Sequence, residues 1–143
     1  MVTELEIGDG LYNGLRWLIP RLLIQNQEVI LHSSCIVGKD GKAYFFLGPS
    51  GAGKSTITTF SKNRKVLGDD MNVLSFKRDI LQAKPAFLGG MDFPDLGDQD
   101  IYDVGGFYWL NQANHTEVTS IPNSKKLSYL LSSYANLYWD GFE

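Results

Sequence analysis

Cysteine and long apolar runs are scarce in this chain of 143 residues. A single cysteine, Cys35, excludes an internal disulfide and any zinc site built from several cysteines, and we interpret it as a core residue. A run of about eighteen apolar residues, long enough to cross a membrane as a helix, is absent, and so is a basic N-terminal region followed by an apolar run. These absences predict a cytoplasmic protein without a membrane partner.

Excess positive charge is also missing. The net charge is −3, and no Lys/Arg cluster alternates with aromatic residues, which argues against nucleic acid as a partner. Hydrophobic residues make up 43% of the chain and charged residues 20%, without repeats, linkers or low-complexity tracts. We therefore expect one globular domain over residues 1–143, large enough to bury roughly two thirds of the surface of its unfolded chain.

The chain does contain a complete phosphate-binding motif, G-x-x-x-x-G-K-S, at residues 48–55. Its glycines allow the backbone to turn its amides toward anionic oxygens, Lys54 suits the terminal phosphates, and the Ser55 hydroxyl suits a magnesium ion. The motif predicts binding of a nucleoside triphosphate. The predicted nucleotide-binding residues are Gly48, Pro49, Ser50, Gly51, Ala52, Gly53, Lys54, Ser55 and Thr56.

The residues on either side of the motif support this interpretation. Ala43 to Leu47 is typical of a buried strand and Thr56 to Lys62 of a short helix, which is the order the motif requires. The alternative is a glycine-rich turn that binds nothing. Val29 to Val37 predicts an earlier strand, and the turn at Gly38 to Lys42 predicts that the two strands form an antiparallel hairpin.

The predicted fold class is α/β, with a mixed, partly antiparallel sheet and flanking helices. The remaining predicted helices run from Gly10 to Gln25, bent or broken near Pro20, and from Ser124 to about Tyr138, capped by Asn123. The remaining predicted strands are Lys65–Leu67, Asn72–Phe76 and Ile80–Phe87. They are followed by a functional or mobile loop from Leu88 to Asp103 and by a second hairpin formed by Gly106–Gln112 and Thr116–Ile121.

Two adjacent carboxylates, Asp69 and Asp70, follow the first apolar strand after the motif, where a metal-associated acid is expected in phosphate-binding enzymes. Neighbouring side chains diverge from an extended backbone, so one can face the metal and the other a substrate hydroxyl. The alternative is a solvated Gly-Asp-Asp turn. His32, on the strand before the motif, is by itself more typical of a structural histidine than of a catalytic one.

Together, Leu31-His32-Ser33-Ser34, the motif at residues 48–55 and Gly68-Asp69-Asp70 resemble the catalytic domain of HPr kinase/phosphorylase and its stand-alone bacterial relatives, which have the phosphoenolpyruvate carboxykinase-like fold. The resemblance implies ATP and Mg²⁺ as cofactors and a serine of a small protein or peptide as phosphoacceptor. It implies that Lys54 contacts the phosphates, that Ser55 and Asp70 hold the metal, that Asp69 is the catalytic base, and that His32 lies near the phosphates.

The chain also departs from that family. Thr56 stands where HPr kinases usually carry glutamate. Their acidic, arginine-containing signature is absent, which argues against phosphorolysis. The chain also lacks their N-terminal domain and C-terminal helices, which argues against HPr as substrate, and its end just after Trp139 predicts a minimal domain or a fragment. An alternative function is a nucleotide-binding sensor with little or no turnover, and a third is a vacant scaffold.

Two other groups are weaker candidates. Arg64 and Arg78 could stabilise transferred phosphate charge, although surface ion pairing explains either. Acidic residues in the predicted loop could bind calcium or recognise substrate, but their spacing is not that of an EF-hand and favours a solvated loop. These acidic residues are Asp92, Asp95, Asp98, Asp100 and Asp103.

Overall fold

The computed structural model describes residues 14–15, 17–61, 63–86 and 99–134. Within them lie six strands and three helices. The strands are β1 (Glu28–Val37), β2 (Ala43–Leu47), β3 (Val66–Gly68), β4 (Met71–Lys77), β5 (Ile80–Pro85) and β6 (Tyr102–Trp109). The helices are α1 (residues 17–24), α2 (Lys54–Phe60) and α3 (Asn123–Ser132).

β1 organises the sheet because its two halves have different partners. Its first half pairs with β4, and its second half pairs with β2 on one edge and β3 on the other. β2 pairs in parallel with β6, and β6 continues through β5 back to β4, so the pairings close a circuit. All pairs except β2–β6 are antiparallel. The predicted α/β class, with a mixed, partly antiparallel sheet and flanking helices, is confirmed.

The first hairpin forms as predicted. Ser33 lies opposite Leu47 and Val37 opposite Ala43, while the intervening turn is closed by a hydrogen bond from Gly38 N to Lys42 O at 2.8 Å. The pairing places the end of β2 directly beside the middle of β1. As a result, the glycine-rich loop that follows Leu47 begins next to the part of β1 that carries His32.

Alternation along β2 explains the core. Phe45 is fully buried and stacks on Phe107 of β6 with ring centroids 5.3 Å apart, whereas Tyr44 and Phe46 on the opposite face are only partly buried. Cys35 lies in the same core, where burial raises the pKa of its thiol well above the ordinary range. The interpretation of Cys35 as a core residue is confirmed.

The predicted second hairpin is wrong. β6 is already formed at Tyr102 and pairs with β5 and β2, while residues 110–122 form no strand. The aromatic residues of β6 stack instead on those of β2. The segment predicted as the second arm is almost entirely exposed, with Val118 at 78%, because it pairs with no strand of the described sheet.

The helix boundaries also differ from the predictions. α1 is continuous through Pro20 over residues 17–24, so the helix is not broken there, and the predicted residues before 14 lie outside the described part. Pro122, not Asn123, occupies the cap position of α3, and no side chain bonds there. α3 ends at Ser132 because Tyr134 forms a β-bridge with Leu31 of β1.

A buried carboxylate, Glu28, gives the fold a pH-dependent contribution. It lies beside the ammonium groups of Lys84 and Lys77, the latter 3.5 Å from Glu28 Oε1. Burial alone would raise the pKa of Glu28, but hydrogen bonds and charge from both lysines outweigh it, so the pKa is lowered from its ordinary 4.5. The stabilisation that Glu28 gives the fold is therefore fully present above its ordinary pKa of 4.5 and is lost as the pH falls through its lowered pKa.

We expect Glu28→Gln to lower the free energy of unfolding by about 1.5–3 kcal/mol at neutral pH, because it removes hydrogen bonds to charged groups. In urea unfolding, the difference from the unmodified protein should shrink in acid. Glu117→Gln is the matched control, since Glu117 contacts only the exposed His115 among its described neighbours. An equal loss for Glu28→Gln at neutral and acidic pH would contradict the ion-pair explanation.

Candidate functional site

The glycine-rich loop, Gly48 to Gly53, joins the end of β2 to the start of α2. Gly48, Gly51 and Gly53 have φ values of 151°, 78° and 106°, which other residues rarely adopt, and Ala52 N donates to Pro49 O at 3.1 Å to close a turn. A side chain at position 48 would also lie 3.0 Å from the carbonyl oxygen of Leu110. The glycines of the motif are therefore required by the backbone conformation.

Lys54 begins α2 and folds back along this loop. Its ammonium donates to Gly48 O at 2.8 Å and Pro49 O at 3.0 Å, and its carbonyl accepts a hydrogen bond from Ser34 Oγ at 3.1 Å. Burial lowers the pKa of Lys54, and the negative charge of Asp70 partly offsets that effect. The structure thus places a desolvated cation at the loop, within electrostatic reach of the Asp70 carboxylate.

Ser55 and Thr56 occupy the first turn of α2, which starts two residues earlier than predicted. Both are exposed beside the loop. The carbonyl of Ser55 accepts hydrogen bonds from Thr58 Oγ1 at 2.8 Å and Thr59 Oγ1 at 2.9 Å. These bonds stabilise the first turn and leave the side chains of Ser55 and Thr56 at the surface of the site.

The two aspartates, Asp69 and Asp70, lie in the short connection between β3 and β4 and are called the acid pair below. Asp69 is buried, whereas Asp70 is only partly buried, so the adjacent carboxylates occupy different environments. Ser33 N of β1 donates to Asp70 O at 2.9 Å and anchors the connection to the central strand. The difference in burial agrees with the predicted divergence of the two side chains.

His32, on β1, completes a cluster with Lys54 and Asp70. Its Nε2 lies 3.0 Å from Asp70 Oδ1. Its backbone N–H donates to Ser133 O at 2.7 Å, so the residues that follow α3 support the strand at this point. The structure brings together His32, Asp70 and Lys54 from three separate parts of the sequence.

The segment after β6 also reaches the loop, which the sequence did not indicate. Leu110 N donates to Leu47 O at 2.8 Å, and Gln112 Nε2 donates to Gly51 O at 2.7 Å. Just before them, Trp109 stacks on Tyr129 of α3 with ring centroids 4.4 Å apart. No sequence signal marks Gln112, because this contact depends on the parallel pairing of β6 with β2.

The two candidate arginines lie away from the loop. Arg64 follows α2 and lines a cavity of about 290 Å³ with Tyr44 and Tyr108, and the seven residues of α2 separate this region from Lys54 by roughly 10 Å. Arg78 lies in the turn at the far end of β4, whose seven residues span roughly 20 Å from the acid pair. Neither arginine contributes to the cluster around Lys54.

The predicted loop from Leu88 to Asp103 is described only from residue 99, and its last two residues, Tyr102 and Asp103, belong to β6. Asp100 is buried and pairs with Lys65, while Tyr102 Oη donates to Asp100 at 3.2 Å and Gln82 Nε2 donates to Asp103 at 3.2 Å. Asp92, Asp95 and Asp98 lie outside the described residues. Within those residues, no three His, Cys, Asp or Glu side chains converge as a metal site would require. None of the helices described is long and apolar enough to cross a membrane.

The strands, helices and loop define a mixed α/β domain with a glycine-rich loop between β2 and α2. The family model described as phosphoenolpyruvate carboxykinase matches residues 6–82, more than half of the chain. The chain belongs to this family. The match includes the loop and the acid pair, and it confirms the predicted relation to the phosphoenolpyruvate carboxykinase-like fold.

Individual relatives are consistent with this assignment. The chain is 42% identical over 65 residues to phosphoenolpyruvate carboxykinase (ATP) 1 of Arabidopsis thaliana, and this match covers 46% of this chain and 9% of that protein. It is 35% identical over 102 residues to phosphoenolpyruvate carboxykinase (ATP) of Christiangramia forsetii, and this match covers 68% of this chain and 18% of that protein. The chain therefore spans less than a fifth of the length of these curated relatives.

Among solved structures, the chain is similar to the Hpr(Ser) kinase/phosphatase from Coxiella burnetii. The TM-score is 0.45 and the sequence identity 18%, and the similarity covers 65% of this chain and 66% of the other.

Proposed function

We propose that this domain binds ATP with a divalent cation and positions the γ-phosphoryl group for transfer. The observation that carries the proposal is the position of the Lys54 ammonium, held on the glycine-rich loop by the Gly48 and Pro49 carbonyls within electrostatic reach of Asp70. Membership of the phosphoenolpyruvate carboxykinase family supports it, and the two curated relatives carry ATP in their names.

The loop residues would bind the polyphosphate through backbone amides. Glycine at 51 and 53 allows the backbone to follow the phosphate oxygens closely. Lys54 adds a positive charge that already lies at the loop. Because the ammonium is desolvated, its interaction with phosphate is stronger than that of a surface lysine. In this proposal Thr56 and the remaining loop residues complete the nucleotide contact.

The donors near the loop fit a hard divalent cation. Ser55 offers a hydroxyl on the exposed first turn of α2, and Asp70 offers a partly exposed carboxylate. Oxygen donors of this type, together with phosphate oxygens, are the set that Mg²⁺ usually takes. The ion would supply neutralisation of phosphate charge, while His32 Nε2, 3.0 Å from Asp70 Oδ1, fixes the orientation of that carboxylate.

Asp69 is the proposed catalytic base. In the transfer step an acceptor oxygen forms a bond to the γ-phosphorus, the bond from that phosphorus to the β,γ-bridging oxygen breaks, and ADP leaves with the electron pair. The proton of an acceptor hydroxyl would pass to the Asp69 carboxylate. The different burial of Asp69 and Asp70 supports assigning them different roles.

Two acceptor classes follow from different observations. The sequence resemblance to HPr kinases favours a serine of a small protein or peptide. The identity with phosphoenolpyruvate carboxykinases, 42% over 65 residues in one case, favours a carboxykinase reaction instead. Labelled ATP separates them, since the first reaction yields phosphoserine in a protein extract and the second yields exchange of label between ATP and phosphoenolpyruvate. ATP binding without either product would favour the sensor function.

ATP binding itself is tested by thermal or urea unfolding. With Mg²⁺ and ATP at a hundred times the dissociation constant, we expect about 2.7 kcal/mol of added stability, because only the folded state binds the ligand. AMP with Mg²⁺ is the control, since it lacks the β- and γ-phosphates that the loop is proposed to hold. The same stability with and without ATP would contradict the proposal.

A further inference from the structure

Asn72 of β4 is fully buried between the two segments that carry the acidic and histidine residues of the site. Its Nδ2 donates to Ser33 O at 2.7 Å, to Ser33 Oγ at 3.3 Å and to Gly68 O at 3.3 Å. The orientation of the amide follows from these partners, because two backbone carbonyls can only accept hydrogen bonds. A single side chain therefore joins β1 to the end of β3.

The two carbonyls bound by Asn72 are next to the proposed functional residues. Ser33 follows His32, and Gly68 precedes Asp69. The backbone bond from Ser33 N to Asp70 O, at 2.9 Å, also joins these segments, in addition to the β1–β3 and β1–β4 pairings. The backbone at His32 and the backbone at Asp69 and Asp70 are thus held together by strand pairing, one further backbone bond and one buried amide.

The space around Asn72 is matched to glycine at position 68. A Cβ atom on Gly68 would lie 2.7 Å from Asn72 Oδ1 and 2.8 Å from Met71 O, closer than real Cβ atoms come. Asn72 Oδ1 is itself buried without a hydrogen-bond partner among the described residues. Such a group costs stability, so packing alone gives no reason for an amide here, whereas its two bonded carbonyls do.

We propose that Asn72 is a positioning residue that holds His32 and the Asp69–Asp70 pair in one geometry. It acts through the backbone of Ser33 and Gly68 and does not itself touch nucleotide or metal. The functional part of this inference rests on the proposed function, because it assigns the geometry to metal and phosphate binding. Removing a group that orients metal-binding residues through hydrogen bonds typically lowers metal affinity or activity by roughly 10–100-fold.

Asn72→Ala and Ser75→Ala form a matched pair for the test. Both side chains are fully buried on β4, but the Ser75 hydroxyl lacks a partner among the described residues. Mn²⁺ serves as the probe, with its affinity measured by electron paramagnetic resonance in the presence of ATP, and ATP affinity is measured separately without metal. We expect Asn72→Ala to weaken Mn²⁺ binding roughly 10–100-fold with metal-free ATP affinity unchanged, and Ser75→Ala to change neither.

The NMR signals of the histidine rings give a readout that does not need ligand. His32 and His115 are the two histidines of the chain, so His115, on an exposed segment, is an internal reference. At fixed pH, Asn72→Ala should move the His32 signal and leave that of His115 in place. If Asn72→Ala does not fold, Asn72→Ser serves instead, because its hydroxyl is too short to span both carbonyls.

An unmoved His32 signal in the folded variant would overturn the inference, and so would Mn²⁺ affinity equal to that of the unmodified protein. Equal weakening by Asn72→Ala and Ser75→Ala would also overturn it, since general loss of packing would then explain the effect. If the unmodified protein binds neither ATP nor Mn²⁺, the proposed function fails. The His32 signal then still decides whether Asn72 positions that strand.

Discussion

Lys54→Met is expected to lower phosphoryl transfer by at least about 10²–10³-fold, because it removes a preorganised positive charge from the place where phosphate charge develops. Methionine keeps an unbranched apolar chain of similar length, so the buried volume is largely retained. ATP should then no longer stabilise the protein in unfolding experiments. Transfer is measured with labelled ATP and stability by thermal unfolding with and without Mg²⁺ and ATP.

The same substitution should leave the ligand-free protein folded. Burial lowers the pKa of Lys54, which means that the folded state disfavours its charged form, and an apolar side chain avoids that desolvation. Lys125→Met, at an exposed position in the first turn of α3, is the matched control and should change neither transfer nor stabilisation by ATP. Transfer at the unmodified rate by Lys54→Met would exclude the proposed role of the loop.

Asp69→Asn is the second large effect that we expect. It removes the proposed base while keeping the shape of the side chain, so transfer to a hydroxyl acceptor should fall roughly 10²–10⁴-fold. ATP should still stabilise the protein, because the loop and Lys54 are unchanged. The comparison requires the rate of labelled phosphate transfer and the nucleotide affinity of the same preparation.

Two further aspartates sharpen this test. Asp70→Asn should mainly weaken the dependence on divalent cation, since Asp70 is the proposed metal ligand and lies 3.0 Å from His32 Nε2. Asp103→Asn, in β6 beside Gln82, is the control for losing one carboxylate elsewhere and should leave transfer unchanged. Undiminished transfer by Asp69→Asn would remove Asp69 from the base role.

The sequence predicted the local parts of the fold well. The hairpin of β1 and β2, the loop glycines and the strand before Asp69 are all specified by neighbouring residues, through apolar alternation and turn chemistry. For the same reason Lys54 and Asp70 were recognised as site candidates from their spacing. The second hairpin and the C-terminal end of α3 were not, because there the pairing of β6 with β2 and the bridge from Tyr134 to Leu31 override local preference.

By itself, the sequence determined that the motif G-x-x-x-x-G-K-S joins a strand to a helix and that an acid pair follows the next strand. Only the tertiary structure decided that His32 meets Asp70, that Gln112 reaches Gly51, and that the buried amide of Asn72 joins two strands. These contacts depend on strand register and on the parallel pairing of β2 with β6. Pairings between distant segments leave little local signal, because their stabilisation comes from burial and from partners far away in the chain.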